Sequence, residues 1–452
     1  MIHQFRQNGY NIIVDPNSGS IHSVDAAAYD VVAMYKTHTK DEIFVAVGDK
    51  HGISPTELDE LLEDIARLES DGMLFSSPPH EEAPPATTRY TKALCLHISH
   101  QCNFRCTYCF AGRGDYGSSG LMSAEVGRAA IDWLCANSGS IRNLDIDFFG
   151  GEPLLNLEVI QEIIDYARSI ESQWSKRFRF TLTTNGLLID DAVIDLCNRE
   201  MDNVVLSIDG RREVNDKMRK TSAGESAYDL ILPKFQRIVD ARGGKNYYIR
   251  GTYTAFNTDF ADDILHLADL GFKELSMEPA VSPPDSPHLW ALKEAHLQEI
   301  LEQYDHLTRE MLVRQGSQRE FNFYHYMVDL EGGPCLSKRV QGCGAGVNYL
   351  SVTPEGEFYP CHRFVGLGEY MIGDVKSGIT KADVTEKFAS CNLYTKPECT
   401  QCWAKYFCSG GCAANFYHAS GDIGGTDHFG CALIKKRLEC AIVLKAAKEA
   451  KI

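Results

Sequence analysis

The sequence predicts an α/β protein built around a partial (β/α)6 barrel, similar in construction to a TIM barrel. Between residues 92 and 315, short apolar runs alternate with segments of helical periodicity, so strands and helices follow one another in series. Strand–helix units in series form a parallel sheet with helices packed on it. The predicted strands are 94–98, 144–149, 178–184, 203–208, 247–254 and 273–278. The predicted helices between them include 123–137, 156–170, 190–199 and 226–241.

Changes in composition along the chain predict five segments. A small helical unit comes first, and a Pro-rich, semi-extended linker joins it to the barrel. After the barrel, cysteines become frequent and helical periodicity fades. We expect the segments to be 1–76, the linker 77–91, the barrel 92–315, a Cys-rich domain 316–440 and a tail 441–452.

Composition excludes several classes of function. The 62 acidic and 45 basic residues give a net charge of −17, which argues against nucleic acid or an anionic membrane as a partner. No run of about 18 apolar residues is present, and the first residues lack the apolar core of a signal peptide. In an unexported chain, the 16 cysteines favour metal ligation over disulfides. The sequence therefore predicts a cytoplasmic protein in a reducing compartment.

The N-terminal unit is predicted to contain two strands and three helices. The strands are 11–14 and 21–24, and helical patterns begin at Ala26 and Lys40. A third helix opens at Ser54–Glu57, a capping box with proline at the first helical position. This order resembles the PqqD-like, winged-helix domains that bind leader peptides. The resemblance implies that a leader would add as a strand to the sheet edge; a generic packing domain remains the alternative.

Three cysteines mark the loop that follows the first barrel strand. Cys102, Cys106 and Cys109 have the spacing C-x₃-C-x₂-C, which can hold three irons of a [4Fe–4S] cluster and leave the fourth without a protein ligand. Zinc is the main alternative, although structural zinc sites usually combine two Cys pairs; a third possibility is three ordinary thiols. The loop lies at the C-terminal end of a strand, where (β/α) barrels carry their catalytic residues.

This spacing, with Tyr108 before the last cysteine, resembles the signature of radical S-adenosylmethionine (SAM) enzymes. The resemblance implies that the amino and carboxylate groups of SAM chelate the open iron. It also implies that one electron from the cluster cleaves SAM to a 5′-deoxyadenosyl radical. Cys102, Cys106 and Cys109 would then be the catalytic cluster ligands.

Further residues at strand ends fit the same family. The second strand ends in Gly-Gly-Glu-Pro at 150–153, the family motif that holds the amino group of SAM. Arg219 matches the family arginine that pairs with the SAM carboxylate. Singly, such residues could be ordinary turns, since Asn-Gly and Asp-Gly are common turn sequences. Together the resemblance implies SAM contacts from Tyr108, Gly150, Gly151, Glu152, Thr184, Asn185, Ser207, Arg219 and Val281.

The Cys-rich domain resembles the SPASM domain, which binds two auxiliary [4Fe–4S] clusters. The pattern that carries the resemblance is Cys343-x₁₂-Gly356-x₄-Cys361, Cys399-x₂-Cys402-x₅-Cys408-x₃-Cys412 and Cys431. By family connectivity the distal cluster would be held by Cys399, Cys402, Cys408 and Cys431, and the proximal cluster by Cys343, Cys361 and Cys412. Cys335 is the candidate fourth proximal ligand, and without it one iron would be open. Two zinc ions are the alternative.

Five cysteines fall outside these patterns. Four of them, Cys95, Cys135, Cys197 and Cys440, lie in apolar strand or helix patterns and are expected to be buried small hydrophobic residues. Cys391 has no assignment from the sequence.

The whole layout resembles the radical SAM/SPASM maturases that form thioether crosslinks in Cys-rich peptides, the SCIFF group of sactipeptide or ranthipeptide synthases. This implies three [4Fe–4S] clusters, SAM, a Cys-rich precursor peptide bound through its leader, and a reducing partner such as flavodoxin or ferredoxin. One alternative is a maturase that oxidises Cys or Ser to formylglycine; there the family has an aspartate after the equivalent of Cys361, where this chain has His362. The other is a non-catalytic Fe–S electron-transfer or scaffold protein, which would not need Glu152 or Arg219.

Overall fold

The chain folds around two β-sheets, a small N-terminal one and a large one. The computed structural model describes residues 1–78, 90–283, 285–330, 340 and 342–450. The small sheet has the strand order β1-β2-β3, and the large sheet has the order β10-β9-β8-β7-β6-β5-β4-β11-β12-β13-β14. The strands are β1 His3–Gln7, β2 Tyr10–Asp15, β3 Ser20–Val24, β4 Ala93–Ser99, β5 Asn143–Gly150, β6 Arg177–Thr184, β7 Met201–Ser207, β8 Tyr247–Tyr253, β9 Glu274–Pro279, β10 Asn322–Phe323, β11 Tyr349–Val352, β12 Glu357–Tyr359, β13 Gly373–Asp374 and β14 Gly378–Ile379.

The helices lie mainly between the strands. They are α1 Ala26–Met34, α2 Lys40–His51, α3 Pro55–Ser70, α4 Ala124–Asn137, α5 Leu157–Trp174, α6 Asp191–Glu200, α7 Arg212–Met218, α8 Tyr228–Ala241, α9 Phe260–Asp269, α10 Leu297–Arg314, α11 Ala382–Ser390, α12 Pro397–Thr400, α13 Lys405–Cys408, α14 Ala413–Ser420 and α15 His428–Glu449. Within the described ranges, no helix combines the length and the apolar character that crossing a membrane requires.

The N-terminal unit has one strand more than the sequence predicted. Strand β1 pairs antiparallel with β2, and the turn between them is Asn8-Gly9, with both residues at positive φ (50° and 85°). Asn-Gly is a strong hairpin signal that the prediction overlooked, because β1 has few β-branched or aromatic residues. The capping box at Ser54 and Glu57 forms as predicted.

Strands β4 to β9 form the predicted parallel arrangement, each pairing with the next in chain order. Their alternate side chains pack against the intervening helices in one large apolar core, which includes Ile146, Phe180 and Ile249. Consequently the C-terminal ends of these strands lie at one edge of the sheet, and residues distant in sequence meet there. The α/β fold with a large parallel sheet is therefore confirmed.

The Cys-rich region adds strands to this sheet that the sequence did not reveal. Strand β11 pairs in parallel with β4, joining Tyr349 to Ala93 in register, and β12 to β14 continue outward as short antiparallel strands. At the other edge, β10 pairs with β9. Strands of two to four residues are too short to show a period-2 pattern. They attach the region after residue 342 directly to the barrel.

The C-terminal helix α15 connects the N-terminal sheet with the rest of the molecule. Phe5, Ile12 and Val14 form one apolar cluster with Ile442 and Val443 of this helix. Near by, the ring of His3 stacks on Trp403 with centroids 3.9 Å apart, and its Nε2 lies 2.9 Å from Glu439. Helix α15 continues without interruption through residue 440, where the sequence suggested the start of a tail.

Candidate active site

The loop after β4 carries the three predicted cluster cysteines. Its backbone is held by the segment that follows α7: the amides of Arg105 and Thr107 donate to the carbonyl oxygens of Lys220 and Met218 at 2.8 and 2.9 Å. The amide of Phe104 also donates to the Sγ of Cys102 at 3.4 Å. These bonds fix a loop in which Cys102, Cys106 and Cys109 all line one cavity of about 420 Å³.

Burial changes the acid–base properties of these thiols. Desolvation raises the pKa of Cys102 to about 11 and that of Cys106 to about 12, so both are thiols at neutral pH in the metal-free protein. A bound metal centre would supply the positive charge that buried thiolates need. Within the described residues, no three Cys, His, Asp or Glu side chains converge closely enough to hold a single metal ion.

The Gly-Gly-Glu segment at the end of β5 packs directly against the cysteine loop. The amides of Gly151 and Glu152 donate to the carbonyl oxygens of Ser99 and Gln101 at 2.7 and 2.8 Å. A Cβ placed on Gly151 would lie only 2.2 Å from the Gln101 oxygen, so this close approach requires glycine. The two segments therefore form one wall of the cavity.

Glu152 is the buried carboxylate of this wall, with 1% of its surface exposed. It accepts hydrogen bonds from the Thr184 hydroxyl at 2.7 Å and from the Asn185 amide at 2.8 Å, both at the end of β6. Even so, desolvation raises its pKa to about 7. A cation beside it would restore the charged form, which fits the ammonium group of an amino acid.

Arg219 and Asp209 form a buried ion pair on the opposite side of the loop. The Nε of Arg219 lies 2.9 Å from Asp209, yet in the described part of the chain it has no aligned hydrogen-bond acceptor. Asp209 also accepts from the Tyr108 hydroxyl at 2.5 Å and from the Thr252 amide at 2.9 Å. Asp209 thus orients the tyrosine of the cysteine motif and the arginine together, and the guanidinium of Arg219 lines the cavity.

The structure brings all of the predicted SAM contacts to the same cavity. Its lining includes Tyr108, Gly150, Gly151, Glu152, Thr184, Asn185, Ser207, Arg219 and Val281, together with the three loop cysteines. Three thiols, a buried carboxylate and a guanidinium around one cavity fit a cluster that binds an amino acid group.

The cavity extends from this end towards the Cys-rich region. Arg250, Glu278, His362, Arg363 and Cys412 also line it. Glu278 accepts from Arg437 of α15 at 3.2 Å, and its other oxygen lies 3.4 Å from His325. Burial alone would raise the pKa of Glu278, but the surrounding His325, Arg437 and Arg250 hold it well below its ordinary value.

The cysteines of the Cys-rich region fall into two spatial groups. Burial raises the pKa of Cys361 to about 12, and the neighbouring Cys412 and Cys343 add to the rise. Burial likewise raises the pKa of Cys408 to about 12, with Cys431, Cys399 and Cys402 as its neighbours. Cys335, the candidate fourth proximal ligand, lies outside the described residues.

The remaining cysteines are packing residues, as predicted for four of them. Cys95, Cys135, Cys197 and Cys440 are buried. Cys391 is half-buried and donates to the Ile423 carbonyl at 3.2 Å.

The sequence analysis assigned no role to three charged residues in or beside the cavity, although Asp209 lies in a strand end that it had noted. Asp209 follows the end of β7, and Glu278 lies in the last residues of β9. Their position at the C-terminal end of a barrel strand was the signal that could have identified them. Arg250 lies inside β8 and carried no such signal, because a single arginine in a strand is usually at the surface.

Comparison with known proteins finds similarity to a family in one part of the chain. Residues 96–232 match the family model described as Radical SAM superfamily. The matched range contains the cysteine loop, Glu152 and Arg219.

Two curated relatives extend the similarity beyond that region. The radical SAM cyclopropyl synthase TigE of Paramaledivibacter caminithermalis is 23% identical over 378 residues, which are 77% of this chain and 73% of the relative. A cysteine-type anaerobic sulfatase-maturating enzyme of Clostridium novyi is 23% identical over 334 residues, covering 70% of this chain and 86% of the relative.

Two solved structures show the same fold. The structure of native anSMEcpe with bound AdoMet has a TM-score of 0.66 and 21% identity, covering 79% of this chain and 99% of that one. The structure of Streptococcus suis SuiB bound to S-adenosylmethionine has a TM-score of 0.53 and 15% identity, covering 95% of this chain and 98% of that one.

Proposed function

We propose that this radical SAM protein forms thioether crosslinks between cysteine sulfurs and acceptor carbons of a Cys-rich precursor peptide. The observation that carries the proposal is one cavity lined by cysteines from two separate parts of the chain. Cys102, Cys106, Cys109 and Glu152 line it together with Cys412, which belongs to the same group as Cys361 and Cys343. A substrate in this cavity would meet the radical source and the auxiliary cysteines at the same time.

The protein's residues divide the work of binding the cofactors. Cys102, Cys106 and Cys109 would hold the [4Fe–4S] cluster, Glu152 the amino group of SAM and the guanidinium of Arg219 its carboxylate. When bound, the cluster supplies the electron that cleaves SAM to methionine and a 5′-deoxyadenosyl radical. The remaining SAM contacts would come from Tyr108, Gly150, Gly151, Thr184, Asn185, Ser207 and Val281.

Formation of the thioether balances as an oxidation of the peptide. The acceptor carbon loses one hydrogen atom, which ends in 5′-deoxyadenosine. The cysteine sulfur loses a proton, the C–S bond forms and one electron leaves. Cys343, Cys361 and Cys412 would hold the proximal cluster that takes up this electron, and Cys399, Cys402, Cys408 and Cys431 the distal one. A reducing partner such as flavodoxin or ferredoxin would supply electrons from outside.

The N-terminal sheet is the proposed site for the leader of the precursor. Strand β3 ends this sheet and has no neighbour on its outer side within the described residues. An extended peptide can therefore add there by main-chain hydrogen bonds. Two of the similar proteins support a peptide substrate: SuiB has been solved bound to its precursor peptide SuiA, and anSMEcpe bound to the peptide Cp18Cys.

Mass analysis after co-expression with short Cys-rich open reading frames tests the proposal. Each thioether should lower the peptide mass by about 2 Da and remove one thiol from alkylation. Replacing Cys361 by Ala should abolish the product, because one group of auxiliary ligands would be incomplete. Cys135→Ala, which removes a buried cysteine in helix α4, should leave the product unchanged.

Other outcomes would favour the competing functions. Formylglycine from cysteine would lower the mass by about 18 Da, and formylglycine from serine by about 2 Da with every thiol still free to be alkylated. If crosslinking survives Cys361→Ala, the proximal cluster is not required for thioether formation. Clusters without any SAM cleavage would indicate an electron-transfer protein.

A further inference from the structure

Arg250 lines the cavity beside the predicted SAM contact Ser207. It lies in β8, where the side chains alternate between buried (Tyr247, Ile249, Gly251, Tyr253) and more accessible (Tyr248, Arg250, Thr252). In the sheet register Arg250 stands between Ser207 of β7 and Ser276 of β9. The barrel face that carries the SAM contact Ser207 therefore also carries this guanidinium, one strand further on.

The charged groups around Arg250 are already engaged with protein partners. Arg219 pairs with Asp209, Glu278 with Arg437, and Arg363 donates to Asn415. Within the described residues, the guanidinium of Arg250 makes no hydrogen bond or ion pair, although it lines the cavity.

Arg250 has an acidic neighbour but no direct contact with it. Glu278 is near enough for the charge of Arg250 to help lower its pKa, but its hydrogen bond is with Arg437 of α15 at 3.2 Å. A guanidinium offers five N–H donors in a planar fork, which suits one or two oxygen atoms of a ligand.

We propose that Arg250 binds an oxygen atom of the peptide substrate next to the attacked carbon, either a main-chain carbonyl or a side-chain carboxylate. This inference rests on the proposed peptide-modifying function and adds its substrate-positioning residue. By holding the substrate backbone, Arg250 would keep one C–H bond directed at the radical, and fixing such geometry accounts for large rate factors. Without it, SAM would still be cleaved, but the radical would be lost before reaching the peptide.

The alternative role for Arg250 is binding of SAM itself, because neighbouring strands are only about 4.8 Å apart and Ser207 is its neighbour. Three variants separate the two roles: Arg250→Ala, Arg250→Lys and the control Arg199→Ala, which removes an exposed arginine on helix α6. For each reconstituted variant, SAM affinity is measured by equilibrium dialysis. The yield of modified peptide per 5′-deoxyadenosine is measured by mass spectrometry.

We expect Arg250→Ala to leave SAM affinity unchanged and to lower the yield of modified peptide per 5′-deoxyadenosine by about ten-fold or more, as loss of charge-assisted hydrogen bonds implies. Arg250→Lys should recover part of the yield, since it keeps the charge but loses the fork. Arg199→Ala should match the unaltered protein. Weaker SAM binding with an unchanged yield would assign Arg250 to the SAM site and overturn the inference, as would an unchanged yield in Arg250→Ala.

Peptide variants identify which oxygen is bound. With every Asp and Glu of the core peptide replaced by Asn and Gln, a persisting effect of Arg250→Ala indicates a main-chain carbonyl. If the replacement alone reproduces the loss and Arg250→Ala adds nothing, the oxygen belongs to a carboxylate.

A binding measurement separates this inference from the proposed function. The affinity of a fluorescently labelled core peptide without its leader needs no turnover, and it should fall in Arg250→Ala. Peptide binding that depends on Arg250 without any thioether in the product would retain the inference and reject thioether formation. Equal affinity in both proteins would reject the inference even if thioethers form.

Discussion

Replacement of Asp209 by Asn tests how the cavity holds its buried charges. Asp209 is fully buried, and its carboxylate is paired with Arg219 at 2.9 Å while it accepts from Tyr108 at 2.5 Å. The amide keeps the shape and one acceptor oxygen but removes the negative charge. Arg219, whose side chain is 11% exposed, would then be a buried cation without a counter-ion.

The expected loss of stability follows from this burial. Removing one partner of a buried ion pair costs about 3–5 kcal/mol. The lower end, about 3 kcal/mol, applies here because the amide oxygen can still accept from Tyr108 or Thr252. For a domain of about 200 residues, this lowers the midpoint of thermal unfolding by about 6–12 °C.

Thermal unfolding of the cluster-free protein under reducing conditions, followed by circular dichroism, provides the measurement. The control is Asp145→Asn, the same chemical change in an exposed pair: Asp145 and Arg179 are 33% and 47% exposed. An exposed pair contributes about 1 kcal/mol or less, so this variant should unfold close to the unaltered protein. Combining Asp209→Asn with Arg219→Met should restore part of the loss, because no unpaired charge remains. Equal midpoints for the two single variants would refute the argument.

Two further predictions concern the cluster loop and the leader site. Replacing Cys102, Cys106 and Cys109 together by Ala should lower the iron content after anaerobic reconstitution from about 12 to about 8 per chain and abolish 5′-deoxyadenosine formation. Iron analysis measures the first effect and chromatography the second. Continued SAM cleavage would contradict the assignment of these cysteines to the SAM-cleaving cluster. In β3, alternate residues direct their N–H groups away from β2. Of the adjacent variants His22→Pro and Ser23→Pro, one should therefore remove an N–H group from the outer edge of β3 and keep the hydrogen bonds between β2 and β3. That variant should retain SAM cleavage but lose crosslinking of the full precursor. Full crosslinking by both folded variants would reject the outer edge of β3 as the leader site.

Local patterns in the sequence were sufficient for much of the fold and for the cysteine loop and Glu152 in the cavity. Apolar runs of strand length between amphipathic helices predicted β4 to β9, because a parallel strand buried on both faces has to be apolar. The Cys102–Cys109 spacing and Glu152 were recognisable because both lie in short contiguous motifs. Parallel strands bring their C-terminal ends to one edge of the sheet, so their proximity followed from the predicted topology.

The contacts of Glu278 and Arg250 could be known only from the tertiary structure. The Glu278–Arg437 pair joins residues 159 positions apart, and helix α15 carries Arg437 to the barrel only because its apolar residues pack on α10 and the N-terminal sheet. Likewise, the sequence gives no means to tell Arg219, paired with Asp209, from Arg250, which makes no ion pair in the described structure. Whether a charged side chain is paired or available for a ligand is determined by which groups packing places within about 4 Å of it, and that distance is a property of the folded chain.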